Sequence, residues 1–217
     1  RGCRTEWLPC LNSKPTLRHC PPEKARKHTV FAPKSNLLPI RDIPRHRYAQ
    51  NVIERELADS ALLRPARLGD EQGILDCIVG LAVYEREPDA VENTIATLGE
   101  TLFGAEPRAF CHVVERDGAI VGIAIWFLTY STWTGRHGIW LEDLYVDDVQ
   151  RGRGYGNALI ASLARVCVER DYSRLEWTVL DWNAPSIAFY RSLGAAPMDE
   201  WTTQRLTGSA LGALAAF

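Results

Sequence analysis

No lysine follows Lys34 in this 217-residue chain, and no pair of cysteines is spaced C-x-x-C. No stretch approaches the roughly 20 consecutive apolar residues that a membrane helix needs. The first residues lack the apolar run of a signal peptide, so a cytoplasmic address is the expectation. The six cysteines (Cys3, Cys10, Cys20, Cys77, Cys111 and Cys167) follow no regular spacing, and the chain is well above the size of disulfide-stapled miniproteins. They read as free thiols. Cys10, Cys20, His19 and His28 come nearest to a zinc-ligand set, but the gaps between them do not repeat, and no metal site is predicted. With 46% hydrophobic residues, the length allows one domain with a full core plus an appendage, and argues against two large domains.

The chain changes character near residue 60. Residues 1 to 60 hold all four lysines and seven of the twelve prolines, with 12 Lys plus Arg against 6 Asp plus Glu. That balance is +6, so the overall −2 leaves −8 for residues 61 to 217. Each proline removes a backbone donor and resists helix, so the leader is expected to be poorly ordered before about Val52, with a short helix over 45 to 60. A basic arm can bind nucleic acid or an acidic partner by displacing counterions from phosphate, but a plain disordered extension is the favoured reading.

After residue 60 the periodicity alternates between strand and helix. The pattern predicts a strand over Ala61 to Arg67, then a helix from Asp70 to Glu85 with Ile74, Ile78, Leu81 and Ala82 on one face. A second helix is predicted from Asp89 to Leu102, ending at Gly104. Phe110 to Glu115 and Ala119 to Tyr130 make a hairpin about Asp117-Gly118, a pair that supplies the positive φ angles of a two-residue connection. A strand over Gly138 to Val146, a helix over Gly154 to Arg170, a strand over Arg174 to Leu180, a helix over Ala184 to Ser192 and a strand over Trp201 to Leu206 complete the order. The expected class is α/β (α+β), a mixed and mostly antiparallel sheet flanked by helices.

The most informative segment is Arg151-Gly152-Arg153-Gly154-Tyr155-Gly156-Asn157, between a strand and a long helix. Glycines at 152, 154 and 156 let successive N–H groups point at one spot, and the helix that follows adds the positive end of its dipole. Such a loop binds a phosphate or pyrophosphate, with Arg151 and Arg153 adding charge. A dinucleotide fingerprint would require glycine at 157, where Asn157 stands, and an ATPase P-loop would require a lysine that the domain lacks.

These residues resemble the R-x-x-G-x-G motif of the GNAT superfamily of N-acetyltransferases. Leu141-Glu142-Asp143 before the loop, Asp181-Trp182-Asn183 and Phe189-Tyr190 after it, and Tyr84-Glu85 upstream are similar to the spermidine/spermine and thialysine N-acetyltransferases. Tyr130-Ser131-Thr132-Trp133 and Leu180-Asp181-Trp182-Asn183 look closer to the thialysine branch, and Ser131 stands where the polyamine branch often carries an aspartate. The resemblance implies acetyl-CoA as donor and transfer to a primary amine of a small diamine, polyamine or lysine-like acceptor. It implies Glu142 as the base that neutralises the amine and Tyr190 as the acid that protonates the departing thiolate. Backbone N–H groups around Leu144, Tyr145 and Val146 are the implied oxyanion donors. Asn183 and Ser186 are expected at the pantetheine arm or as a helix cap, and Tyr84, Glu85, Glu142 and Asp143 at the acceptor. In a regular strand Asp143 would face away from Glu142. Asp199 and Glu200 are further acidic candidates. A homodimer is implied, with the apolar tail Leu211 to Phe217 available at its interface. Two other readings stay open: acetylation of protein lysine or an aminoglycoside-like amine, and an acetyl-CoA-binding regulatory module with a nucleic-acid-binding arm.

Overall fold

The structure is a computed structural model that describes residues 54 to 217. The expected leader and the Cys10, Cys20, His19 and His28 group lie outside the described residues, as does most of the helix expected over 45 to 60. Of that helix, the described part forms a two-residue strand instead, β1 (Arg55–Glu56), which pairs with β2 (Leu62–Pro65). The sheet therefore reaches into the segment expected to be leader.

Six strands stand in sequence order across one sheet: β1, β2, β3 (Phe110–Arg116), β4 (Ala119–Ser131), β5 (Arg136–Val146) and β6 (Leu175–Glu176). All neighbours are antiparallel except β5 and β6, which run parallel. The β3–β4 hairpin turns at Asp117 and Gly118 with φ of 52° and 80°, the left-handed pair that Asp-Gly favours.

Helices cover both faces. On one, α3 (Tyr155–Glu169) packs Tyr155, Leu159 and Leu163, each 1% exposed or less, against Trp126, Ile139 and Leu141 of the sheet. On the other, α1 (Glu71–Tyr84) and α2 (Ile95–Phe103) pack Ile74, Cys77, Leu98 and Leu102 against Cys111, Val113, Ile123 and Ile125. In α1 the deep positions are Ile74 and Cys77, while Ile78, Leu81 and Ala82 are only half-buried. Cys77, Cys111 and Cys167 are free and buried, and burial raises each thiol, Cys77 to about 12. They serve as small apolar side chains.

Four expectations need correction. The second helix begins at Ile95 rather than Asp89, because Thr94 and Thr97 form a reciprocal cap there, and Pro88–Ala90 makes only a 3-10 turn. The strand expected over Arg174 to Leu180 shrinks to Leu175–Glu176, since β5 pairs with it only at Ile139 and Trp140. Trp201 to Leu206 is not a strand, as no neighbour pairs with it. The chain instead ends in α5 (Gly208–Ala215), preceded by α4 (Ala184–Ser192). Finally, the β4–β5 ladder shifts register between Ile125 and Trp126, which pair with Asp143 and Leu141. Glu142 is therefore the extra residue of a β-bulge, and strict alternation fails at this point.

Candidate active site

The bulge decides where two carboxylates go. Leu141 stays in the α3-side core, whereas Trp140 lies against Phe127 on the other face. Glu142 accepts a hydrogen bond from Trp140 Nε1 at 2.9 Å, and Asp143 feels the charges of both Glu142 and Glu85. Glu142 and Asp143 thus share one side of the sheet, contrary to the regular-strand expectation. Glu142 is exposed and held by the indole. Burial, then repulsion from Glu142 and Glu85, pushes Asp143 up to about 6.

Helix α1 supplies the opposite wall. Gly80 lets it approach closely, for a Cβ there would fall 2.6 Å from the Tyr145 hydroxyl. Burial raises the carboxyl of Glu85, which caps the end of α1. Tyr84 donates from its hydroxyl to Asn183 Oδ1 at 3.0 Å, and the same oxygen accepts the Ser186 N–H at 3.2 Å. Asn183, 6% exposed, is therefore the N-cap of α4 and also its tie to α1. Along α4, Tyr190 stacks near Trp177 with centroids 4.9 Å apart. Burial, followed by the nearby Glu85 and Tyr84, pushes its phenol up to about 12.

The glycine loop follows β5 directly. Gly152 and Gly154 have φ of 80° and 83°, and Gly154 is the N-cap of α3. Among the described residues, none of the N–H groups of 152 to 157 donates a backbone hydrogen bond. That leaves a row of unpaired donors at a helix N-terminus, with open space beside both glycines. The flanking side chains are more committed than sequence suggests. Arg151 donates to the Val146 carbonyl, pairs with Asp148 and lies over the Tyr84 ring at 4.8 Å. The Tyr155 ring is core, and its hydroxyl donates to Asp59 at 2.6 Å, so only its backbone faces the loop. Asp59 also pairs with Arg116 and, at 3.5 Å, with Arg153. Gly156 is half-buried beside Phe189, while Asn157 is exposed.

Between loop and carboxylates, Leu144, Tyr145 and Val146 pair with Ala124, Ile123 and Gly122 of β4. Their other edge is free of β6, whose pairing ends at Trp140. Alternate amides of this stretch of β5 accordingly point to an edge that β6 does not cover. Asp199 and Glu200 lie exposed in a turn after α4. Sequence reasoning missed the bulge, the Trp140 clamp on Glu142 and the Asp59 network. Their only sequence signal was the Trp140-x-Glu142 spacing.

The described residues hold no cluster of metal-binding side chains and no helix long and apolar enough to cross a membrane. The sequence profile of the Acetyltransferase (GNAT) family matches residues 81 to 195. The thialysine N-epsilon-acetyltransferase of Sus scrofa is 36% identical over 167 residues, 72% of this chain and 98% of the relative. The L-ornithine N5-acetyltransferase of Arabidopsis thaliana is 35% identical over 98 residues, 45% of this chain and 43% of that enzyme. Among solved structures, an integron cassette protein from the mobile metagenome of V. cholerae superposes with a TM-score of 0.63 at 22% identity, covering 72% of this chain and 98% of its own. With a family profile spanning more than half its length and full-length relatives above 30% identity, this chain belongs to the GNAT acetyltransferase family.

Proposed function

We propose that this GNAT acetyltransferase moves an acetyl group from acetyl-CoA to a primary amine of a small diamine or lysine-like acceptor. The observation that carries the reading is the run of unpaired N–H groups over 152 to 157, which leads by one strand to the bulged carboxylates. The donor set fits a pyrophosphate: several unpaired amides, two left-handed glycines and the positive end of α3 follow one another, with open space beside Gly152 and Gly154. Gly152, Arg153, Gly154, Tyr155, Gly156 and Asn157 would hold the phosphates, and the free edge of Leu144 to Val146 would face the pantetheine arm and thioester. When bound, the cofactor supplies an activated acetyl group on a thiol leaving group.

The chain supplies the proton handling. Glu142, fixed by Trp140, takes a proton from the acceptor ammonium so that the nitrogen can attack. Asp143 and Glu85 hold the cationic acceptor beside it. Tyr190, with its phenol held at about 12, is protonated at neutral pH and donates to the departing sulfur. Asn183 and Ser186 act by setting α4, and with it Tyr190. The carboxylates and the −8 balance of residues 61 to 217 attract cations, which favours amine acceptors. The names of the pig and plant relatives support an amino-acid-like acceptor. We further infer a homodimer, since Trp201, Leu206, Leu211, Leu214 and Phe217 are large apolar side chains left exposed along residues 201 to 217.

The test is release of free CoA from acetyl-CoA by the full chain with a panel of diamines, polyamines, ornithine and thialysine. Turnover with at least one is expected. Turnover with none, or only with a lysine peptide or an aminoglycoside, rejects the small-amine reading.

A further inference from the structure

Arg86 stands where α1 ends. Its φ of 68° is left-handed, and Glu87 N–H returns to the Ala82 carbonyl at 2.9 Å, the pattern that closes a helix and usually selects glycine. A side chain here is strained and persists where its surroundings offset the cost, and the guanidinium carbon lies 4.7 Å from the centroid of the Trp182 ring. Trp182 in turn leans on Tyr84 at 6.0 Å and is followed by Asn183, the cap of α4. Among the described residues, no carboxylate forms an ion pair with Arg86. Among the described residues it is a cation without an ion-pair partner, exposed, next to Glu85 in sequence and tied through Trp182 to Tyr84.

Stacking uses the face of a guanidinium and leaves its in-plane N–H fork free, and that fork matches a carboxylate in two parallel hydrogen bonds. The rim of the site therefore carries both signs: Glu142, Asp143 and Glu85 toward the reacting end, and an oriented, unpaired cation beyond them. A simple diamine or polyamine, cationic at both ends, gains nothing from such a cation and is repelled by it. An acceptor with a terminal amine at one end and a carboxylate at the other complements both.

Resting on the acceptor reading above, we propose that Arg86, braced on Trp182, binds the carboxylate of an ω-amino amino-acid acceptor and selects it over the corresponding decarboxylated diamine. Ornithine and putrescine, or lysine and cadaverine, are matched pairs that differ by this group alone. Steady-state kinetics of the full chain and of Arg86→Gln with both members of a pair test the idea. KM for the amino acid is expected to rise about tenfold to a hundredfold, the loss of one charge-assisted pair. KM for the diamine should stay within about twofold or fall, and KM for acetyl-CoA should not move. Arg86→Lys keeps the charge without the fork and should recover only part of the amino-acid affinity. Equal changes for both members overturn the proposal, as does full activity of Arg86→Gln on the amino acid. A rise in acetyl-CoA KM alone also overturns it, by assigning the guanidinium to the cofactor. If the wild type acetylates the diamine but not the amino acid, the proposal fails while the amine acetyltransferase reading stands; if it acetylates neither, both fail.

Discussion

At the scale of single residues, Tyr190 and Asp143 of the candidate site are moved away from ordinary behaviour by their surroundings. Burial and nearby Glu85 and Tyr84 hold the Tyr190 phenol protonated at neutral pH, which suits the acid role proposed for it. Tyr190→Phe removes the donor and keeps the ring against Trp177 and Phe189. A fall in kcat of about a hundredfold is expected, with KM for acetyl-CoA within about twofold. Equal loss of both would assign Tyr190 to packing alone. Asp143 is a different case, because its raised value is a cost to the fold. With a folded value of about 6 against the ordinary 3.8, ionisation is harder in the folded chain than in the unfolded one. The penalty is absent below pH about 4, grows as pH rises, and is complete above about 6, reaching at most about 3 kcal/mol. Asp143→Asn should therefore be more stable than wild type at pH 7.5 in denaturant melts, with the gain vanishing by pH about 4. His112 slopes the other way in both proteins. Burial depresses it to about 4, so stability is lost as pH falls from about 6.5 toward 4, and only the difference between the two curves isolates Asp143. A gain that persisted at low pH would contradict an ionisation origin.

At the scale of elements, the glycine turn separates backbone demand from ligand demand. Gly154 sits at φ 83° in the cradle, while Gly135 sits at φ 66° in the β4–β5 turn, at the opposite end of β5. Alanine at either position meets no neighbour within 4 Å, so both substitutions should cost about 1 kcal/mol from backbone conformation alone. Only Gly154→Ala should also raise KM for acetyl-CoA, by about tenfold or more, since the displaced amides are those assigned to phosphate. Equal kinetic effects from the two would remove the cradle from the mechanism. These same elements show what a sequence can disclose. Helices α1, α3 and α4 and the β3–β4 hairpin are local objects, written in apolar periodicity, in Asn183 before a helix and in Asp117-Gly118, and each lies within a few residues of its expected place. The motif Arg151 to Gly156 was legible for the same reason. Strands answer to partners far away in sequence. Trp201 to Leu206 has strand-like composition but pairs with no strand, and within Arg174 to Leu180 only Leu175 and Glu176 find partners, at Ile139 and Trp140 of β5. The bulge at Glu142 exists only as a register against Ile125 and Trp126, so the sharing of one side by two carboxylates was invisible until the ladder was known.

At the scale of the whole molecule, polar and apolar surfaces are sorted in a way one subunit leaves unexplained. From Leu206 to Phe217 no charged side chain occurs, and α5 is exposed throughout, with Leu211, Leu214 and Phe217 at 52%, 63% and 111% of full exposure. An eight-residue helix lacks the length to persist in water on its own propensity, so α5 needs an apolar surface to lie on. Met198 and Trp201 are likewise exposed in the segment that leads to it. A second copy would bring an identical tail to an identical face, satisfying both by symmetry. Light scattering of the full chain should then report about twice the 24.3 kDa of one subunit. The pair Leu211→Asp and Leu214→Asp should shift it to the mass of one subunit, because each change places a charge in a buried apolar contact. Unchanged secondary structure by circular dichroism, apart from the loss of one short helix, would show that the variant fails in association rather than in folding. A wild type that runs as a single subunit at every concentration would instead leave the tail to some other apolar partner and overturn the dimer.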